Sequence, residues 1–141
     1  MMDKRSGSGP EDGDMAPPQP QIRAVVADRS AEVCHALARL LGGDPAIEVG
    51  ATAQTEDELL GELAEAAPDV VLLDYQLPRR SIDGLVGALR ARVPDLAILV
   101  LLVHPGDVAG VEVDARTAWI LKDSDRDELR SQVRALVPIA S

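Results

Sequence analysis

Along residues 22 to 137, short and nearly unbroken apolar runs alternate with longer stretches in which apolar residues recur every three or four positions. The runs Ile22–Ala27, 70 to 73, 96 to 102 and 118 to 121 lack polar alternation, as strands buried on both faces must. Residues 47 to 50 are more polar and read as an edge strand. Between the runs, Val33, Leu37, Leu40 and Leu41, then Leu59, Leu60 and Leu63, then Leu85 and Leu89, and finally Leu129, Val133, Leu136 and Val137 each mark one buried helical face. The alternation predicts five βα pairs around a parallel sheet. Thr55 with Glu58 forms a capping box, and Ser124 with Asp127 a weaker one. The fourth helix is poorly supported, because Pro105, Gly106, Gly110 and the β-branched Val108, Val111 and Val113 oppose helix between His104 and Arg116.

Composition narrows the picture. The 141 residues suit one domain. Residues 1 to 20 hold three Gly, four Pro and all three Met with almost no core-forming material, so they are expected to be a disordered tail before a domain over 21 to 141. A net charge of −10 excludes a general nucleic-acid binder, which needs surplus Lys and Arg to neutralise phosphates. Cys34 stands alone, so no intramolecular disulfide can form and a reducing compartment is expected. The first twenty residues lack the apolar core of a signal peptide, and the longest apolar run, 96 to 103, is too short to span a bilayer. These features predict a cytoplasmic protein with no membrane contact.

Candidate chemistry follows from where ligands bind to open parallel sheets, beyond the carboxyl ends of the strands at the point where strand order reverses. Three polar residues directly follow apolar runs: Asp28, Asp74 and Lys122. In a sheet of order 2-1-3-4-5, strands one and three are neighbours about 5 Å apart, so the two aspartates converge, and a lysine stem reaches them from strand five. Of twelve basic residues after position 20, eleven are Arg and one is Lys122. Tyr75 and Trp119 also lie close in sequence to this cluster.

On Ile22-Arg-Ala-Val-Val-Ala-Asp28, Pro68-Asp-Val-Val-Leu-Leu-Asp74 with Pro78 four residues on, and Trp119-Ile-Leu-Lys122, residues 22 to 137 resemble the receiver domains of bacterial response regulators, particularly those with LuxR-type helix-turn-helix outputs. The resemblance implies a flavodoxin-like (βα)5 three-layer sandwich with a degenerate fourth helix. It also implies a phosphoacceptor role for Asp74, metal ligation by Asp28 and Asp74, and contact of Lys122 with the carboxylate or phosphoryl oxygens. An aspartyl phosphate forms only if a divalent metal, here Mg²⁺, and a cation offset the charge on the transferring group.

The sequence departs from that pattern at a metal-ligand position, Arg29, and at a switch position, Leu102, which with Trp119 would relay phosphate occupancy. The second acidic position after strand one is Arg29. A unit charge about 5 Å from a divalent ion at an effective dielectric near 20 costs on the order of several kcal/mol, so Mg²⁺ binding is expected to be weak. Arg29 either pairs with Asp74 or Asp28, standing where the metal would sit, or points to solvent. The family places Ser or Thr at the end of strand four, where Leu102 stands, so the hydroxyl relay from phosphate to the aromatic at Trp119 is broken. Asp83-Gly84 falls two residues late after Asp74, and the interval from Leu102 to Lys122 is about two residues short.

The expected function is therefore an atypical receiver acting as a protein-interaction switch, not an enzyme, with Asp74 weakly phosphorylated or not at all. Its partner would be a sensor kinase or an output protein, with a homodimer through the last helix, where Arg126, Arg130 and Arg134 form a stripe. The alternatives are an ordinary phosphoaccepting receiver, a receiver that binds a small molecule, and an aspartate-nucleophile phosphohydrolase. The last wants an acidic residue two positions after the nucleophile, where this chain has Gln76, and room for a cap domain. Cys34 and His35, adjacent on a helix, read as structural, and His104 as a solvated loop residue. With no helix-turn-helix before Ser141, the chain is expected to act on a partner or to be the amino-terminal piece of a longer regulator.

Overall fold

The computed structural model describes residues 21–78 and 81–137, and the sequence expectation for residues 1 to 20 lies outside them. Five strands, β1 (Ile22–Ala27), β2 (Ile47–Ala53), β3 (Val70–Asp74), β4 (Ala97–Leu102) and β5 (Thr117–Leu121), form one sheet of order β2-β1-β3-β4-β5 with every pairing parallel. Four α-helices connect or follow them: α1 (Ala31–Gly42), α2 (Glu56–Ala66), α3 (Ile82–Arg92) and α4 (Arg126–Leu136). Between β4 and β5 the chain forms a 3-10 helix (Pro105–Gly110) with no buried residue of its own, as the glycines and proline there dictate.

The period-two geometry of the strands splits the core into two layers. Val25, Ala27, Val71, Leu73, Ile98, Val100 and Leu102 pack on Leu59, Leu63, Leu85 and Leu89 of α2 and α3, with Val111 closing this layer after the 3-10 helix. Ala24, Val26, Leu72, Leu99 and Leu101 pack on Leu37, Leu41, Leu129 and Val133 of α1 and α4. All residues of β3 and β4 are buried, which accounts for their unbroken apolar runs. Fully burying each such leucine contributes about 2 kcal/mol. Strand β2 runs three residues past the expected 47 to 50, with inward and outward positions alternating as befits a sheet edge.

Each α-helix starts on a side-chain cap. Ser30 accepts from the Val33 amide, Thr55 from Glu58, Ser81 from Gly84 and Asp125 from Glu128. The Glu58 carboxylate accepts in turn from the amide of Gln54, the residue before the cap, and not from the Thr55 amide that the expected box would use. For α4 the sequence expectation is one residue off, since the cap is Asp125 and not Ser124. No helix among the described residues is long and apolar enough to cross a membrane.

Candidate functional site

The register Ala27↔Leu73 sets the carboxyl ends of β1 and β3 side by side and brings Asp28 and Asp74 together, 2% and 1% exposed. Each is oriented by its own chain. Asp28 Oδ1 accepts the Ser30 amide at 2.9 Å, and Asp74 Oδ1 accepts the Gln76 amide at 3.1 Å. Two buried carboxylates at one spot need a cation, and β5 supplies it. The Lys122 amide donates to the Leu102 carbonyl at 2.8 Å, which extends the β4–β5 ladder by one residue. Its Nζ lies 2.7 Å from Asp28 Oδ2 and 3.1 Å from Asp74 Oδ1. Partial burial of the ammonium pulls its pKa down, but hydrogen bonds and charge from Asp28 and Asp74 outweigh this and hold it above the ordinary lysine value. Asp28 Oδ2 is buried and receives no hydrogen bond of regular geometry, so the ammonium is its charge partner.

Arg29 resolves to the paired alternative and not to solvent alone. Although its side chain is 58% exposed, Nε stands 3.4 Å from Asp74 Oδ2, and the guanidinium also donates to Gln76 Oε1. Its backbone carbonyl accepts from Gln54 Nε2 at 3.3 Å. The two carboxylates thus face two cations, a formal balance of zero. Mg²⁺ is held through one or two carboxylates and keeps several waters. Here Asp28 and Asp74 are paired with Lys122 and Arg29, so a divalent ion beside Asp74 would meet the Arg29 guanidinium.

Gln76 and Gln54 were not singled out as site residues by the sequence. Gln76 enters there only as the residue standing where a phosphohydrolase would carry an acid, and its position two residues after Asp74 was the available signal. Leu102 is fully buried and brings no donor to the site. Trp119 is half-buried against the same apolar layer that contains Leu102. Tyr75 reaches away toward the 3-10 helix, where a Cβ at Gly110 would collide with its hydroxyl.

The remaining candidates separate. Cys34 is buried behind the site, 3.4 Å from the Asp28 carbonyl, and burial with the nearby Asp28 charge pushes its thiol pKa up. His35 and His104 are exposed. The arginine stripe is largely spent within the chain: Arg130 Nε donates to the Leu40 carbonyl at 2.8 Å and lies over Gly43, while Arg134 pairs with Asp44 at 2.6 Å. Arg126 contacts only its neighbour Asp127, at 3.5 Å, among the described ion pairs.

A family model described as the response regulator receiver domain matches residues 24–134. Over 115 residues the chain is 30% identical to the DNA-binding transcriptional activator DevR/DosR of Mycobacterium tuberculosis, covering 80% of this chain and 53% of that protein. It is 42% identical over 91 residues to protein-glutamate methylesterase/protein-glutamine glutaminase 1 of Oleidesulfovibrio alaskensis, covering 64% of this chain and 24% of that protein. The chain therefore spans between about a quarter and a half of the length of these curated relatives. Among solved structures, the signal receiver domain of the response regulator NarL from Mycobacterium tuberculosis superposes with a TM-score of 0.70 at 27% identity, covering 82% of this chain and 94% of that one. A family match over most of the chain, together with the shared fold, establishes that this protein belongs to the response regulator receiver domain family.

Proposed function

We propose that this receiver works as a protein-interaction switch in signal transduction and transcription regulation whose phosphorylation at Asp74 is weak or absent. The observation that carries the reading is Arg29 Nε at 3.4 Å from Asp74 Oδ2, a cation beside the oxygen a phosphoryl group would join. With Lys122 on the other side, the pocket is neutralised by the chain's own residues, and the demand for Mg²⁺ falls with it. Leu102 supplies no hydroxyl to report phosphate occupancy, so any coupling to Trp119 must run through packing.

In this reading the domain is cytoplasmic and not an enzyme, and its partner is a sensor kinase or an output protein. Self-pairing through α4 would draw on Arg126 and its exposed neighbours, since Arg130 and Arg134 are held within the chain. The net charge of −10 leaves DNA contact to a partner or to a further domain. The competing reading, an ordinary phosphoaccepting receiver, draws support from the intact Asp28, Asp74 and Lys122 cluster.

Labelling by acetyl phosphate in millimolar Mg²⁺ separates them, with Trp119 emission recorded against Mg²⁺ with and without a beryllofluoride mimic. Wild type is expected to label slowly and to titrate weakly. Arg29→Asp should tighten Mg²⁺ at least about tenfold, equivalent to about 1.4 kcal/mol, and raise labelling of Asp74. Leu102→Thr acts on the relay, so the pair should restore an emission response larger than the two single changes together. Full labelling and full emission response of wild type would overturn the proposal in favour of an ordinary receiver.

A further inference from the structure

We propose that Gln76 is a positioning residue that latches Arg29 across Asp74 and so sets how far the phosphoacceptor is closed. The inference rests on the reading above, in which Arg29 restrains chemistry at Asp74. An arginine whose side chain is 58% exposed, with one long contact of 3.4 Å to a carboxylate, would on those grounds alone spend much of its time in water. Gln76 removes that freedom. Its backbone amide donates to Asp74 Oδ1 at 3.1 Å, while its side-chain Oε1 accepts from the Arg29 guanidinium. One residue thus grips the carboxylate with its main chain and the guanidinium with its side chain, which fixes the distance between them. Gln54 holds the other end, donating from Nε2 to the Arg29 carbonyl at 3.3 Å. Gln54 is in turn tied to the α2 cap through its amide and the Glu58 carboxylate, 2.8 Å apart. The backbone of Arg29 is therefore anchored from α2 and its head from the β3–α3 loop, and the side chain is stretched over Asp74 between them.

The acceptor at Gln76 is what the latch requires. Asparagine would be one carbon too short, and an apolar residue would offer no acceptor, so either would free the guanidinium while leaving Asp28, Asp74 and Lys122 in place. Losing one charge-assisted hydrogen bond predicts a change of about threefold to tenfold in the openness of Asp74.

The test is a double-mutant cycle of Arg29→Ala and Gln76→Ala in the full chain, read in two ways. One is the rate of Asp74 labelling by acetyl phosphate in Mg²⁺. The other, independent of phosphorylation, is hydrogen-exchange protection of the Arg29 Nε–H. Arg29→Ala should raise labelling about tenfold. Gln76→Ala should raise it about threefold or more and abolish protection at Arg29, and should add nothing once Arg29 is already alanine. Unchanged labelling or retained protection in Gln76→Ala, beside a clear rise in Arg29→Ala, overturns the latch and leaves the charge-block reading standing. An equal increment from Gln76→Ala in both backgrounds also overturns it, because Gln76 would then act without Arg29. No rise in Arg29→Ala overturns the charge-block reading and the latch with it.

Discussion

Lys122 sets one ammonium between two buried carboxylates, at 2.7 and 3.1 Å. Taking the cation away leaves both charges without their strongest partner. Lys122→Met is therefore expected to cost about 3 kcal/mol of folding stability, measured by urea denaturation at pH 7. The lysine pKa is held above its ordinary value, so its contribution is complete below the unfolded pKa of about 10.4 and is lost as pH rises through the folded one. Wild type should lose stability above about pH 10.4, and the pH difference between wild type and Lys122→Met should isolate that limb. The identities of these three residues could be read from the ends of apolar runs. The contacts of Gln76 could not, because an exposed glutamine carries no pattern until its neighbours are placed.

At the scale of elements, the C-terminal end of α1 is fastened to α4 through Asp44, which is buried, accepts the Ala46 amide at 2.9 Å and pairs with Arg134. Burial raises the Asp44 pKa, but the Arg134 hydrogen bond and the Ala46 amide outweigh it and hold the carboxyl below the usual aspartate value. Its stabilisation is thus present above about pH 3.9 and lost as pH falls through the folded value. Asp44→Asn should flatten the acid end of the stability profile and cost about 1 to 2 kcal/mol at pH 7. Helix α2 ends on Ala67, an exposed residue in the left-handed region at φ 46°. Ala67→Gly should raise stability by about 0.5 to 1 kcal/mol in the same urea assay, because glycine adopts that conformation without a Cβ penalty. The 3-10 helix has no buried residue, so its amides should exchange far faster than those of β3. Its weakness was legible in Pro105, Gly106 and Gly110. The α4 cap was misplaced because Ser124 and Asp125 are both good caps, and the need for Leu129 and Val133 to face the sheet selects Asp125.

For the whole molecule, a net charge of −10 on a chain of 141 residues means self-repulsion that salt screens. Exposed ion pairs such as Arg23–Glu48 at 4.0 Å are each worth about 1 kcal/mol or less, too little to reverse the sign. Raising NaCl from about 10 to about 150 mM should therefore shift the urea midpoint upward. The same charge predicts no binding of this domain to duplex DNA by fluorescence anisotropy at physiological salt.

The sequence by itself determined the layer architecture, since strands buried on both faces must be apolar throughout while the helices between them need only one apolar stripe. It also determined which strand ends carry Asp28, Asp74 and Lys122, because polar residues that end a buried run stand at the sheet's carboxyl edge. Tertiary structure decided the rest. Arg29 is equally free by sequence to face solvent or the pocket, and folding sets its guanidinium beside Asp74 and Gln76 and its carbonyl beside Gln54, residues of two segments remote from it in sequence. The arginine stripe on the last helix reads as an outward face, yet the closeness of Gly43 and Asp44 on the neighbouring helix end draws Arg130 and Arg134 into the domain. In both cases a long charged side chain has several reachable partners at similar energy, and the choice among them depends on where distant backbone segments come to rest.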